Sequence, residues 1–288
     1  HLWISILFCF LYGISMVGNS VILFIIKTDP NSSLHEPMYI FLSMLAVTDL
    51  GVLISTMPTI LGIYLFNFRE ISLDVCLAQL FFIPLLQCTG SCILLLMAFD
   101  RFIAICNPLR YASILTLPRI AKMGLVAVLR SVVIIFPLPF LLKRFRYCRP
   151  NVLSHSYCLF QEVMKLACSD ITVNNIYGLF AKLLTMGLDS LLIFFSYVMI
   201  LKTVLSVVSH AEYLRALNTC VSHLCAVLLF YTPDISLSMI HRFGNSSSLL
   251  IRIILSYISL LFPPLMNPVV YSVKSKHLRV RIIRIFIK

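Results

Sequence analysis

The chain has 288 residues, 60% of them hydrophobic and 12% charged, with a mean hydropathy of +0.99. Those proportions exclude an ordinary soluble domain and call for apolar surroundings. The formal net charge of +12 is scattered along the chain without a groove-reading module, which argues against nucleic acid and for a membrane surface as the partner of the basic residues.

Crossing a ~30 Å hydrocarbon core takes about 20 mostly apolar helical residues. The chain supplies seven such runs, at 2–26, 38–65, 75–106, 123–142, 176–201, 216–240 and 249–273. They predict an all-α membrane protein, a seven-transmembrane-helix bundle forming a single domain over 1–288. An odd number of spans puts the ends of the chain on opposite sides. With the C-terminal end inside, the inner segments hold twelve Lys and Arg and the outer ones seven, five of those in one long loop at 143–175; the inner excess favours an extracellular N-terminus. His1 already abuts the first span, as in a fragment of a longer chain. The segment 275–288 alternates Lys and Arg with Ile, Val and Phe, the pattern of an amphipathic C-terminal helix lying on the cytoplasmic leaflet of the lipid bilayer.

Six of the ten cysteines, Cys9, Cys88, Cys92, Cys106, Cys220 and Cys225, fall within spans as small buried thiols. Cys76 lies at the outer end of the third span, and Cys148, Cys158 and Cys168 lie in the long outer loop. Four cysteines on the oxidising side allow three pairings. The spacing of His155 among them fits no zinc pattern, and neither a metal nor a cofactor is expected. Asn245 opens an N-glycosylation sequon on the outer side, whereas the same triplet at Asn31 falls inside and should stay unmodified.

Polar residues within the spans carry the functional signal, because an ionised side chain at depth costs roughly 2.5–3.5 kcal/mol unless it is paired or wetted. Asp100 and Arg101, at the inner end of the third span, can pair with each other. Asp49 and Asn267 are expected to meet across the second and seventh spans. Pro268 lacks an N–H and so frees a backbone carbonyl for a neighbouring Asn or a water, which makes the stretch through Tyr271 bendable. Toward the outer side, Asp234, Ser238, His241 and Arg242 share one face of the sixth span, and Pro84, Gln87, Cys88 and Ser91 share one face of the third. Polar stripes in apolar helices face inward, which predicts a small-ligand cavity between them, extended by Lys182 of the fifth span and Gln161 of the loop. Plainer readings stand beside these: Arg242 could snorkel to headgroups, Lys182 could pair with Asp234 or Asp189, and Arg130 could face either the bundle or the lipid.

Five ordered strings carry a resemblance: HEPMYIFLSMLAVTDL (35–50), MAFDRFIAICNPLRY (97–111), SHSYCLFQEVMKLACSD (154–170), ALNTCVSHLCAVLLFYTP (216–233) and PPLMNPVVYSVKSKHLR (263–279). They run through most of the chain and resemble rhodopsin-like receptors, specifically odorant receptors; MIHRFG (239–244) leans toward the class I, fish-like branch. The resemblance implies a plasma-membrane receptor that is not an enzyme, with a small-molecule odorant in the outer cavity. It implies a switch built from Asp100, Arg101, Asp49, Asn267, Pro268 and Tyr271 that engages a heterotrimeric G protein of the stimulatory olfactory type. It also implies the pairings Cys76 with Cys158 and Cys148 with Cys168. The chain departs from the pattern in four places. Gly90 stands where many relatives have a glutamate, which leaves a sodium ion without that ligand; Pro84 stands where a histidine is frequent, Asp234 where an apolar residue is usual, and Phe102 where tyrosine is common. The alternative, a membrane transporter of small solutes, would show interrupted helices in matching halves, and no duplication is seen. No nucleophile–base pair or HExxH-type string points to a hydrolase. A Lys182–Asp234 pair would leave the Arg242 guanidinium free for a carboxylate or carbonyl, so an oxygenated or acidic short-chain odorant is favoured.

Overall fold

The computed structural model describes residues 2–28, 36–148, 152–207, 210–243 and 248–286; the sequons at Asn31 and Asn245 lie outside them. Among the described residues, seven helices are long and apolar enough to cross a membrane, at Trp3–Thr28, Pro37–Phe66, Leu73–Cys106, Leu117–Lys143, Thr172–Ser206, Cys220–Arg242 and Leu249–Val273. Each overlaps one predicted run. The fourth begins earlier than its apolar run because Thr116 and Pro118 start a helix at Leu117, where the missing proline N–H is an orphan in any case.

Local chemistry sets the helix ends. Ser72 caps the third span by accepting from Val75 N at 3.3 Å, and Ser248 caps the seventh by accepting from Ile251 N at 3.4 Å. The second span, Pro37–Phe66, stops at Asn67, whose φ of 53° is left-handed and turns the chain out of the helix. The fourth span breaks at Phe136, since Pro137 offers no N–H to continue the ladder. The fifth is continuous from Thr172, but a π-helical turn at Leu183–Gly187 separates its outer helix, ending at Lys182, from its inner helix, starting at Leu188. The composition gives no hint of that turn.

The burial pattern inverts that of a water-soluble bundle. Trp3, Phe10, Phe24, Ile54, Val133 and Phe194 point outward, while Asn19, Asp49, Asp100, Asp189, His223, Asp234 and Asn267 are buried among the helices. Lipid is as apolar as leucine, so the large aliphatics gain little by facing inward and the polar groups lose heavily by facing outward. After the seventh span the helix Lys276–Phe286 turns aside. Leu278 is fully buried and Ile282 packs against the main core, while Ser275 caps the turn by accepting from Leu278 N at 3.3 Å and bonds Tyr39 Oη at 2.9 Å.

Candidate ligand site

A cavity of about 130 Å³ lies in the outer half of the bundle. Its wall is built by Pro84, Gln87 and Cys88 of the third span, Lys182, Thr185 and Met186 of the fifth, Asp234, Leu237, Ser238 and His241 of the sixth, and Ser259 of the seventh. The loop residues Tyr157 to Gln161 complete it. They are held over the bundle by the Cys76–Cys158 disulfide, with Cα atoms 5.5 Å apart. Gln79, which the sequence reading passed over, reinforces the roof: its Oε1 accepts from Cys158 N at 3.1 Å while its Nε2 donates to Ser55 O at 3.0 Å and Thr59 Oγ1 at 2.7 Å. Tyr157 donates to Ser256 O at 3.2 Å, and Tyr257 to Ser156 Oγ at 2.5 Å. A second disulfide, Cys148–Cys168, closes the local loop beside the Tyr147–Ala167 bridge.

Lys182 Nζ lies 2.5 Å from Asp234 Oδ2, so the two charges on the wall neutralise each other. Arg242, placed on the wall by helical periodicity, is not on it. It lies one residue beyond His241 and hence about 100° around the helix, where its Nη1 donates to Asn175 Oδ1 at 2.7 Å in an exposed setting. Ser91 is also off the wall, a level deeper. It donates to Asp189 Oδ2 at 2.8 Å and bonds Tyr231 Oη at 2.5 Å. Asp189 is further held by Arg130, whose Nη1 reaches Oδ1 at 2.8 Å and whose Nη2 donates to Leu184 O, in the π-helical turn, at 2.6 Å. Arg130 therefore faces the bundle. Pro84, Gln87, Cys88, Gln161, Lys182, Asp234 and Ser238 all reach the cavity.

Next to the cavity, on the loop side, His155 and His241 face each other with ring centres 5.8 Å apart. Glu162 Oε1 is 3.6 Å from His241 Nδ1 and 2.6 Å from Lys165 Nζ. Burial opposes the charge of Glu162, but the Lys165 ammonium outweighs it and holds the carboxyl below its usual range. Burial also holds His155 below the usual imidazole range, with Glu162 working in the opposite direction.

At the inner end Asp100 is fully buried and accepts from Arg101 Nε at 2.8 Å and from Tyr111 Oη at 2.7 Å. His223 Nδ1 bonds Tyr197 Oη at 2.5 Å one layer outward. Asn267 Nδ2 donates to Asp49 Oδ2 at 2.9 Å, and Tyr271 is buried with its hydroxyl 3.9 Å from Met97 Sδ. The carbonyl freed by Pro268 is that of Pro264. It is satisfied from the first span, where Asn19 Nδ2 donates to it at 2.8 Å. Gly18 permits the approach: a Cβ there would lie 3.1 Å from Pro268 Cβ.

A family model described as olfactory receptor matches residues 8–288. The chain belongs to the olfactory receptor family. Human olfactory receptor 51G2 is 61% identical over 286 residues, 99% of this chain and 90% of that protein. Human olfactory receptor 51G1 is 58% identical over 99% of this chain and 88% of its own length, and human olfactory receptor 51A4 is 55% identical over 98% and 90%. This olfactory receptor is thus a rhodopsin-like G-protein-coupled receptor and not an enzyme, a multi-pass plasma-membrane protein whose partners are odorants and a G protein. Sequence reasoning missed Gln79, Asn19 and the Arg130–Asp189 pair in this olfactory receptor. Gln79, Asn19 and Asp189 had a usable signal, since each is a strong polar group inside an apolar run.

Proposed function

We propose that the receptor lies with its N-terminus extracellular, binds a short oxygenated odorant in the 130 Å³ cavity and activates a stimulatory olfactory-type G protein from the opposite end of the bundle, near Arg101. The observation that carries this reading is a mostly apolar cavity with a few polar groups between the third, fifth and sixth spans, beneath a disulfide-tethered loop. A cavity of about 150 Å³ is large enough for a benzene-sized molecule, so by size the ligand has on the order of six non-hydrogen atoms. The sequence kept an acid among the expected oxygenated ligands because of Arg242. With Arg242 off the wall, Lys182 is the cation an acid would meet, and a carboxylate would first have to take it from Asp234. The oxygenated class therefore stands ahead of the acid. Signalling requires the ligand to bind the active arrangement more tightly than the resting one, whatever its absolute affinity. In cells displaying the receptor, cyclic AMP should rise with a short-chain oxygenated agonist, and Ser238→Phe, which fills the cavity, should abolish the rise at unchanged surface level. A full response in that variant would reject the site.

A further inference from the structure

Resting on that cavity, we infer that His241 reads the polar end of the ligand and that the ligand is an uncharged short-chain alcohol whose hydroxyl donates to the imidazole. The side chain of His241 is 1% exposed, yet neither ring nitrogen has a hydrogen-bond partner. Among the described wall residues this is a polar group kept from water without a use inside the fold. A buried imidazole in that position is completed by whatever molecule shares the cavity with it.

The chemistry of the neighbours narrows the class. Near neutral pH an imidazole is mostly uncharged and offers one N–H and one acceptor nitrogen. The acceptor lying toward Nδ1 is Glu162 Oε1, at 3.6 Å. That is too long for a hydrogen bond, but its charge favours the tautomer with the proton on Nδ1. Nε2 is then the acceptor, and its complement is a donor without charge, a hydroxyl. Charged headgroups are disfavoured by the other polar feature of the wall. Lys182 and Asp234 are already 2.5 Å apart, so an incoming carboxylate leaves Asp234 unpaired and an incoming ammonium leaves Lys182 unpaired, each a buried charge without a partner. An aldehyde of the same length fits the volume but brings no proton for Nε2.

The test is a cyclic AMP dose–response series with four- to six-carbon 1-alkanols and the aldehydes, carboxylates and amines of the same lengths, in cells with matched surface receptor. The alkanols should be the most potent. One hydrogen bond is worth about tenfold in affinity, so His241→Phe should raise the alkanol EC50 about tenfold and bring it level with the aldehyde. His241→Asn, which keeps an acceptor oxygen, should stay within about threefold of the parent. His241→Leu supplies the same comparison if the phenylalanine variant does not reach the surface. The inference is overturned if carboxylates or amines outrank alkanols, or if the phenylalanine or leucine variant keeps the parent's alkanol potency. Ser238→Phe separates the two levels of the claim. If it silences the alkanol while His241→Phe does not, the cavity stands and His241 falls; if it leaves the response intact, the cavity itself is wrong.

Discussion

Asp189 is 1% exposed at its side chain and depends on three donors, Ser91 Oγ, Arg130 Nη1 and the Cys92 thiol, for its solvation. Such a group is expensive to orphan and cheap to delete. Removing one partner of a buried pair costs about 3–5 kcal/mol, whereas exchanging both for apolar side chains of similar size is near neutral. Arg130→Leu should therefore empty the cell surface of receptor, and Arg130→Leu with Asp189→Leu should restore much of it, as measured by antibody labelling of intact cells. Equal surface levels for the single and double variants would deny the pair its structural role. Arg242 offers the contrast. Its partner Asn175 is neutral and the site is exposed, so Arg242→Ala should change surface level and agonist potency by no more than about twofold.

The outer loop is the element in which titration meets architecture. Burial keeps the His155 imidazole below the usual range, while Glu162, Lys165 and Arg252 are the charged groups that face it. Because the opened loop would take up the proton near the ordinary value of about 6.5, the stability His155 lends is full above that pH and is lost as pH falls through its depressed folded value. Amide exchange across 152–168, corrected for intrinsic rate, should be faster at pH 5.5 than at 7.4, and His155→Phe should flatten the difference. Elements were also what the sequence reported best. Each of the seven spans was legible because a lipid core demands length and apolarity together, and the pairing of Asp49 with Asn267 followed from two polar groups sharing one problem. What helical periodicity could not supply was depth and azimuth to within one residue, which is why Arg242 and Ser91 were set on a wall that His241 lines. The π-helical turn at Leu183–Gly187 leaves no compositional trace, and the contacts of Gln79 and Asn19 join segments that only the packed bundle brings together.

Across the whole receptor, the cavity and the Asp100–Arg101 pair sit at opposite ends of the third span, so binding and coupling should separate by mutation. Arg101→Ala should abolish cyclic AMP production while agonist binding to the same cells stays within a few-fold; normal signalling would contradict the assignment. Among the described residues, three ion pairs within the spans, Lys182–Asp234, Arg130–Asp189 and Arg101–Asp100, lie at three depths. A lone charge crossing the membrane field would feel about 2.3 kcal/mol per 100 mV, but a cation and anion that travel together present the field with a dipole and almost no gating charge. Movement of these paired charges during activation then draws little on the membrane potential. A receptor wired in this way should report the same odorant concentration at −60 mV as at +40 mV, within about twofold of EC50.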